Sequence, residues 1–226
     1  GVTSIGMSAF SSCTSLESIV IPDGVTLLQD QAFMSCEKLK SVTFGTGITS
    51  IGSESFDGCV SLETVDLSSG LVTIGSRAFA GCTSLSSVIF GDSLKSMDSY
   101  AFYQCRNLET IDIPDSVTSI AKYAFSGCSD LVNVTIGAGL TSISYRVFDN
   151  TVNNIYLNAG CVDQNYNLPF QTTVWYVDES TCVDSANCGS DRNQCVTCPE
   201  EQGQACYCSS GYVKKERGAY FTCAAP

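Results

Sequence analysis

Hydrophobic and polar positions repeat with a period of 23 residues over the first two thirds of the 226-residue chain. The period holds without a slip, and its most regular column is Phe10, Phe33, Phe56, Phe79, Phe102, Phe125 and Phe148. A fixed period of about 20 to 50 residues marks a solenoid, in which one repeat cannot bury its apolar residues alone and its neighbours complete the core. The sequence therefore predicts about seven stacked coils over residues 1–148.

Each coil contains two segments with the pattern of a short strand. In the fourth coil, Val88 and Phe90 lie two residues apart, so both point to the same side of an extended segment. Residues 85–90 are therefore predicted to form a short β-strand whose copies stack in parallel, and residues 71–74 a second extended piece. The composition of residues 76–82 suits a helical turn.

The repeat pattern V-T-S-I-G-x-x-A-F-x-x-C-x-x-L-x-x-I-x-I-P resembles the BspA-like (Treponema-type) leucine-rich repeat. The sixth coil carries it in Val117, Thr118, Ser119, Ile120, Ala124, Phe125, Cys128, Leu131, Val134 and Ile136. The resemblance covers residues 1 to about 150 and implies a leucine-rich-repeat solenoid of stacked parallel short β-strands. Proteins with such repeats are surface or secreted adhesion proteins of bacteria and protists, so the resemblance also implies an extracellular recognition role.

The repeat decays after residue 148. Residues 155–157 arrive two positions earlier than the period requires, and residues 172–177 have the composition of one more strand. We predict that residues 149–181 cap the solenoid, because an uncovered coil would expose its core. The chain also enters the repeat in mid-pattern, and we expect it to be a piece of a longer protein with a leader and further repeats upstream.

The fourteen cysteines fall into two classes. Six follow the repeat and are expected to be buried free thiols that fill space as small apolar groups; they are Cys13, Cys36, Cys59, Cys82, Cys105 and Cys128. Disulfides between adjacent coils would distort the stack, and a zinc site lacks histidine partners and a tetrahedral arrangement. The other eight crowd into a loop-rich tail and favour a disulfide framework; they are Cys161, Cys182, Cys188, Cys195, Cys198, Cys206, Cys208 and Cys223.

The end of the tail resembles the second half of an EGF-like module, C-x-C-x-x-G-Y with a last cysteine further on. The matching residues are Cys206, Cys208, Gly211, Tyr212 and Cys223. The resemblance implies a small disulfide-rich module at 182–226 and a bridge between Cys208 and Cys223. Upstream, the spacing departs from that family, and two pairing schemes remain open. They are Cys161–Cys182, Cys188–Cys198 and Cys195–Cys206, or Cys182–Cys195, Cys188–Cys206 and Cys161–Cys198.

Charge and composition argue against several classes of function. The chain has 11 Lys+Arg against 23 Asp+Glu, and a net charge of −12 argues against nucleic acid or an anionic membrane as a partner. No apolar run approaches about 18 residues, so no membrane-spanning segment is expected in this stretch. Without any histidine, Ser-His and Cys-His nucleophile pairs are absent. We expect neither an enzyme nor a cofactor.

One catalytic hypothesis remains, a hydrolase that uses Asp66 and Asp112. These carboxylates belong to the same outward strand position two coils apart, or about 9.6 Å along the sheet. That separation is at the far edge of an inverting glycosidase pair, and a flat strand face offers no cleft. Binding is therefore the preferred interpretation of this surface.

The remaining signal is in surface columns. Arg77, Tyr100, Tyr123 and Arg146 occupy one column on successive coils, and tyrosine and arginine are enriched in interaction hot spots. We therefore take them as candidate partner-binding residues; alternatively, the tyrosines only shield the turns. A second column, on the strands, is rich in hydroxyls: Ser18, Ser41, Thr64, Ser87 and Thr110. Asn133 begins an N-x-T sequon and would be glycosylated in a secreted eukaryotic protein.

Together these features predict a non-enzymatic protein of the cell surface or extracellular space. Its repeat-built face would bind a protein or glycan, for example in extracellular matrix or on a host surface. The alternative is a structural subunit that self-assembles into a coat, wall or filament.

Overall fold

The structure is a computed structural model and describes residues 1–148, 152, 154–157, 173–176, 213–217 and 220–224. Within these residues it contains strands and turns and no helix. The strands, in chain order, are β1 (Ser4–Ile5), β2 (Ser18–Val20), β3 (Leu27–Leu28), β4 (Ser41–Thr43), β5 (Ser50–Ile51), β6 (Thr64–Leu67), β7 (Thr73–Ile74), β8 (Ser87–Phe90), β9 (Ser96–Met97), β10 (Thr110–Ile113), β11 (Ser119–Ile120), β12 (Asn133–Ile136), β13 (Ser142–Ile143), β14 (Asn154–Leu157), β15 (Thr173–Tyr176), β16 (Val213–Arg217) and β17 (Tyr220–Ala224).

The two predicted strand segments of each coil form separate parallel sheets. The first segments build a seven-stranded sheet in the order β1-β3-β5-β7-β9-β11-β13. The second segments form two four-stranded sheets, β2-β4-β6-β8 and β10-β12-β14-β15. Pairing joins equivalent positions of neighbouring coils, as between Val65 and Val88 or between Ile111 and Val134. Both strand predictions are confirmed. Nothing in the structure explains why the second segments divide into two sheets between β8 and β10.

Columns of equivalent side chains make up the core. The phenylalanine rings from Phe10 to Phe125 stack with centroids 5.1–5.2 Å apart, and Phe125 lies 5.5 Å from Phe148. This spacing is close to the strand separation of about 4.8 Å, because one coil advances by one strand. Along β8, Val88 is buried whereas Ser87 and Ile89 are exposed, which is the alternation expected of a half-buried strand.

The segment between the two strands of a coil is a run of hydrogen-bonded turns, so the predicted helical turn was wrong. In the fourth coil, the backbone N–H groups of Ala78, Ala80 and Cys82 each donate to the carbonyl three residues earlier, at 3.1–3.3 Å. The intervening N–H groups of Arg77, Phe79 and Gly81 donate instead to carbonyls of the next coil, at 2.7–3.0 Å. Because every second N–H leaves the coil, the continuous i to i−4 bonding of an α-helix cannot form.

The first coil differs from the others because no described residue stacks on its outer side. Val2, Met7 and Phe10 are 63%, 65% and 37% exposed. Cys13 is exposed as well, whereas the other five cysteines of the column are buried. The expectation that Cys13 is buried was therefore wrong, since its cover would have to come from a coil on that side.

Beyond residue 148, β14 pairs in parallel with β12, and β15 pairs in parallel with β14. The additional strand predicted at 172–177 is thereby confirmed as β15. The strands β16 and β17 pair antiparallel, with Lys214 opposite Cys223. The predicted cap at 149–181 and the predicted module at 182–226 lie mostly outside the described residues. Of the eight cysteines in these two segments, the structure describes only the backbone of Cys223.

Candidate functional site

The candidate binding column runs along left-handed backbone. Arg77, Tyr100, Tyr123 and Arg146 have φ values of 56°, 63°, 60° and 51°. The equivalent residues of the first three coils, Ser8, Gln31 and Glu54, have φ values of 54°, 60° and 57°. This conformation costs an L-residue about 1 kcal/mol or more, so each coil accepts a penalty at this position. The sequence analysis did not predict this left-handed conformation because the column contains no glycine.

Six side chains form one surface cluster, which we call the tyrosine–arginine strip; they are Arg77, Tyr100, Tyr103, Tyr123, Tyr145 and Arg146. Tyr145 and Arg146 are exposed, and the other four residues are half-buried. The rings of Tyr100 and Tyr123 stack with centroids 5.0 Å apart and an interplanar angle of 12°. Tyr103 meets Tyr100 edge-on at 5.4 Å, and Tyr145 meets Tyr123 edge-on at 6.1 Å. Stacked and edge-on pairs are the arrangements that aromatic rings prefer. The four rings therefore form a continuous aromatic surface.

An arginine lies at each end of this surface. The guanidinium carbon of Arg146 is 5.1 Å from the centroid of the Tyr145 ring, and that of Arg77 is 6.0 Å from the Tyr103 ring. Both distances fall within the range of a cation–π contact. Among the described residues, no carboxylate lies within salt-bridge distance of Arg146. The exposed end of the strip therefore carries a cation in a chain of net charge −12.

Asp57 is a partner of the strip that the sequence analysis missed. Its Oδ2 accepts a hydrogen bond of 3.0 Å from Nε of Arg77. Partial burial raises the pKa of Asp57, while the hydrogen bond and charge of Arg77 act in the opposite direction. This bond uses one of the five N–H donors of the guanidinium. Asp57 precedes Arg77 by 20 residues, three fewer than the period, so it lies on the preceding coil beside the column. This offset is the sequence signal that could have identified the contact.

The cysteine column makes a second regular feature. The thiol of each buried cysteine in this column lies 3.1–3.2 Å from the carbonyl oxygen of the phenylalanine 26 residues earlier. The same carbonyl also accepts the N–H of the cysteine in its own coil, as Phe56 does from Cys59 at 3.2 Å. Burial raises the pKa of Cys59 to about 12 and holds those of Cys82 and Cys105 well above the ordinary value. The thiols therefore stay protonated and can donate.

The strand face does not assemble the proposed carboxylate pair. Asp66 lies in β6 opposite Ile89 of β8, whereas Asp112 lies in β10, in a different sheet. Hydrogen bonds from the hydroxyl and the N–H of Ser68 lower the pKa of Asp66, which opposes a role as a general acid. The geometry gives the hydrolase hypothesis no support.

The sequon residue Asn133 is half-buried at the start of β12. A shallow open depression beside it is lined by Glu109, Thr110, Asp130, Val132 and Asn133. In the hydroxyl-rich column, Thr64 pairs with Ser87 and Ser18 pairs with Ser41, and all four residues are exposed. The described residues thus give this face a regular polar surface with a shallow, open depression.

The part of the chain that the structure describes contains no group of three or more metal-ligating side chains that could hold an ion. In the same residues, no helix has the length and apolar character needed to cross a bilayer.

Comparisons with known proteins bear on the whole solenoid. The family model of the BspA type leucine rich repeat region matches residues 3–80 and 49–162, with six copies in total. A comparison with curated protein sequences gives no match.

Among solved structures, the pneumococcal vaccine antigen PcpA is similar at 19% identity and a TM-score of 0.51, and the match covers 76% of this chain and 57% of that one. A leucine rich cell surface protein of Faecalibacterium prausnitzii A2-165 matches at 22% identity and a TM-score of 0.47, over 78% of this chain and 61% of that one. A leucine rich repeat protein of T. pallidum matches at 23% identity and a TM-score of 0.46, over 71% and 73%. The chain thus spans less than two thirds of the first two proteins, and the likeness to PcpA shows a shared fold.

Proposed function

Because the chain belongs to the BspA-type leucine-rich repeat family, we propose that it is a non-enzymatic recognition or adhesion protein that acts outside the cell. Leucine-rich repeats are scaffolds that bind other proteins through their surface. The observation that carries the proposal is the stacking of equivalent side chains at one strand spacing, which turns single residues of a coil into continuous exposed columns.

Rigidity of the scaffold supports this role. Each coil is bonded to the next through the seven-stranded sheet and the turns and, except between β8 and β10, through the second strand segments as well. The phenylalanine column packs without interruption from Phe10 to Phe148. Side chains carried by such a framework lose little further conformational entropy when a partner binds. The tyrosine–arginine strip is the column whose composition best fits a partner site.

The extracellular setting rests on the cysteine-rich tail. Eight cysteines without the repeat period favour disulfides, which persist outside the reducing cytosol. We propose that residues 149–181 cap the solenoid and that residues 182–226 form an EGF-like disulfide module that spaces or anchors it. A glycan on Asn133 would cover the adjacent depression and leave the strip, which lies on the turns, accessible.

The test combines a binding and an assembly measurement on the purified chain. The chain would be immobilised and exposed to a panel of purified extracellular matrix proteins and glycans, while sedimentation velocity follows its size over a range of concentrations. Saturable binding to a panel member by a chain that stays monodisperse supports recognition. Polymers that grow with concentration, without binding to the panel, would instead support the structural-subunit alternative.

A further inference from the structure

The two left-handed columns of the turns use different residues. The second column, four positions after the first, has positive φ at Ser12, Ser35, Gly58, Gly81, Gln104 and Gly127, so half of its members are glycine. The first column has positive φ at all seven positions and contains no glycine. Glycine would remove the conformational penalty. The absence of glycine therefore indicates that the side chains of the first column are retained for what they contact.

In the first three coils, contacts within the protein account for the absence of glycine from the first column. Ser8 and Gln31 are linked by a hydrogen bond of 3.2 Å, and Gln31 donates to Glu54 at 2.8 Å, so these positions form a polar ladder. In later coils, Tyr100 and Tyr123 make three aromatic pairs, with each other, with Tyr103 and with Tyr145, and each pair contributes about 0.5–1.5 kcal/mol. The two strained positions cost a similar amount, about 1–2 kcal/mol each. The two tyrosines therefore add little net stability, and backbone strain at surface side chains is typical of binding sites.

The strip has a definite length and charge pattern. Arg77 and Arg146 belong to coils four and seven, so their backbones lie about three strand spacings, or roughly 14 Å, apart. The tyrosines occupy the interval between them. An extended segment in polyproline II conformation rises about 3.1 Å per residue, so about five residues span this interval. Two anionic residues about five positions apart would each reach one arginine while the intervening residues lie on the tyrosine rings.

We propose that the tyrosine–arginine strip binds an extended, proline-containing protein segment that carries two carboxylates about five residues apart. This inference rests on the proposed recognition function and names the partner class of the site. Aromatic surfaces favour proline-rich segments because the segment is already extended and loses little entropy on binding. Carboxylates fit the ends because arginine binds them with directional, charge-assisted hydrogen bonds. The guanidinium of Arg77 retains donors beyond the one used by Asp57.

The probe is a fluorescein-labelled peptide with two glutamates separated by roughly four prolines, followed by fluorescence anisotropy. One comparison peptide has lysines in place of the glutamates, and another has the glutamates adjacent. Polygalacturonate serves as an anionic glycan. Tyr123→Gly and Arg146→Gln are the test variants, because both glycine and glutamine occupy left-handed positions elsewhere in these turns. Lys40→Gln is the matched control, since it removes one positive charge from a residue paired with Glu17, away from the strip.

The expected result is that the spaced glutamate peptide binds and that Tyr123→Gly and Arg146→Gln each weaken binding about tenfold, or about 1.4 kcal/mol. Lys40→Gln should stay within about twofold, and the lysine and adjacent-glutamate peptides should bind at least tenfold more weakly. Far-UV circular dichroism and urea unfolding establish that both variants fold.

Three outcomes would overturn the inference: absence of binding by the spaced peptide, equal binding of spaced and adjacent glutamates, or strip-dependent binding of polygalacturonate alone. Its failure is separable from failure of the recognition function. If the wild-type chain binds a panel member and neither strip variant changes that affinity, recognition stands and the strip is excluded as the binding site.

Discussion

Substitution of Cys82 tests whether the thiols of the cysteine column donate hydrogen bonds or only fill space. Cys82 is fully buried, and its sulfur lies 3.2 Å from the carbonyl oxygen of Phe56. That carbonyl also accepts the N–H of Cys59 at 3.2 Å, so it keeps one donor if the thiol is removed. Two variants separate the possibilities, because Cys82→Ala removes both volume and donor whereas Cys82→Ser removes mainly the apolar contact.

The magnitudes follow from burial. Cys82→Ala deletes a group comparable to one methylene, whose transfer is worth about 0.8 kcal/mol, and leaves a cavity in a stack that cannot collapse. Loss of the hydrogen bond adds at most about 1 kcal/mol. We expect Cys82→Ala to lower the free energy of unfolding by about 2 kcal/mol. Cys82→Ser should cost about 1 kcal/mol, because its hydroxyl can donate to Phe56.

The assay is urea unfolding followed by far-UV circular dichroism, with equal m-values required for the comparison. Cys13→Ala and Cys13→Ser are the controls, because Cys13 is exposed and both should lie within about 0.5 kcal/mol of the wild type. The reasoning would be refuted if Cys82→Ser were less stable than Cys82→Ala. That order would mean that the buried hydroxyl finds no acceptor and carries its full desolvation cost.

Three further predictions concern the same chain. Alkylation of the unreduced, unfolded protein, measured by intact mass, should count six free thiols and four disulfides. In the folded state, only Cys13 of the repeat column should react. A count of seven disulfides would contradict the two cysteine classes. Because burial keeps the pKa of Cys59 at about 12 and raises those of Cys82 and Cys105, the unfolded chain releases thiol protons first as pH rises. The urea midpoint should therefore be steady between about pH 6 and 8 and fall from about pH 9 upward. The fall should be less steep in Cys82→Ala, and an unchanged slope in that variant would argue against the thiol as the cause. Gly47→Ala should destabilise by about 1–3 kcal/mol, because a Cβ there would overlap the carbonyl oxygen of Asp23, whereas Gly6→Ala, with open space around it, should be neutral by the same urea measurement.

Particular residues show how far the sequence reaches. The strand pair of each coil, the inward direction of Val88 and the alignment of Tyr100 with Tyr123 all follow from counting in steps of 23, and each is present in the structure. The helical turn at 76–82 was wrong because composition does not reveal that alternate N–H groups bond to the neighbouring coil. The burial of Cys13 was wrong because the pattern treats all coils alike, whereas the first has no described neighbour on one side.

The sequence by itself determined the solenoid, its period and the columns that run along it. This is possible because stacking in register converts a linear repeat into a spatial one, so equal residues meet without any knowledge of the path between them. Only the tertiary structure decided which unlike residues meet: Arg77 with Asp57 at an offset of 20 residues, and each buried cysteine thiol with a phenylalanine carbonyl at an offset of 26. These offsets are not multiples of the period, because they depend on how the left-handed turns position each coil against its neighbour. The repeat pattern of the sequence contains no information about that backbone geometry.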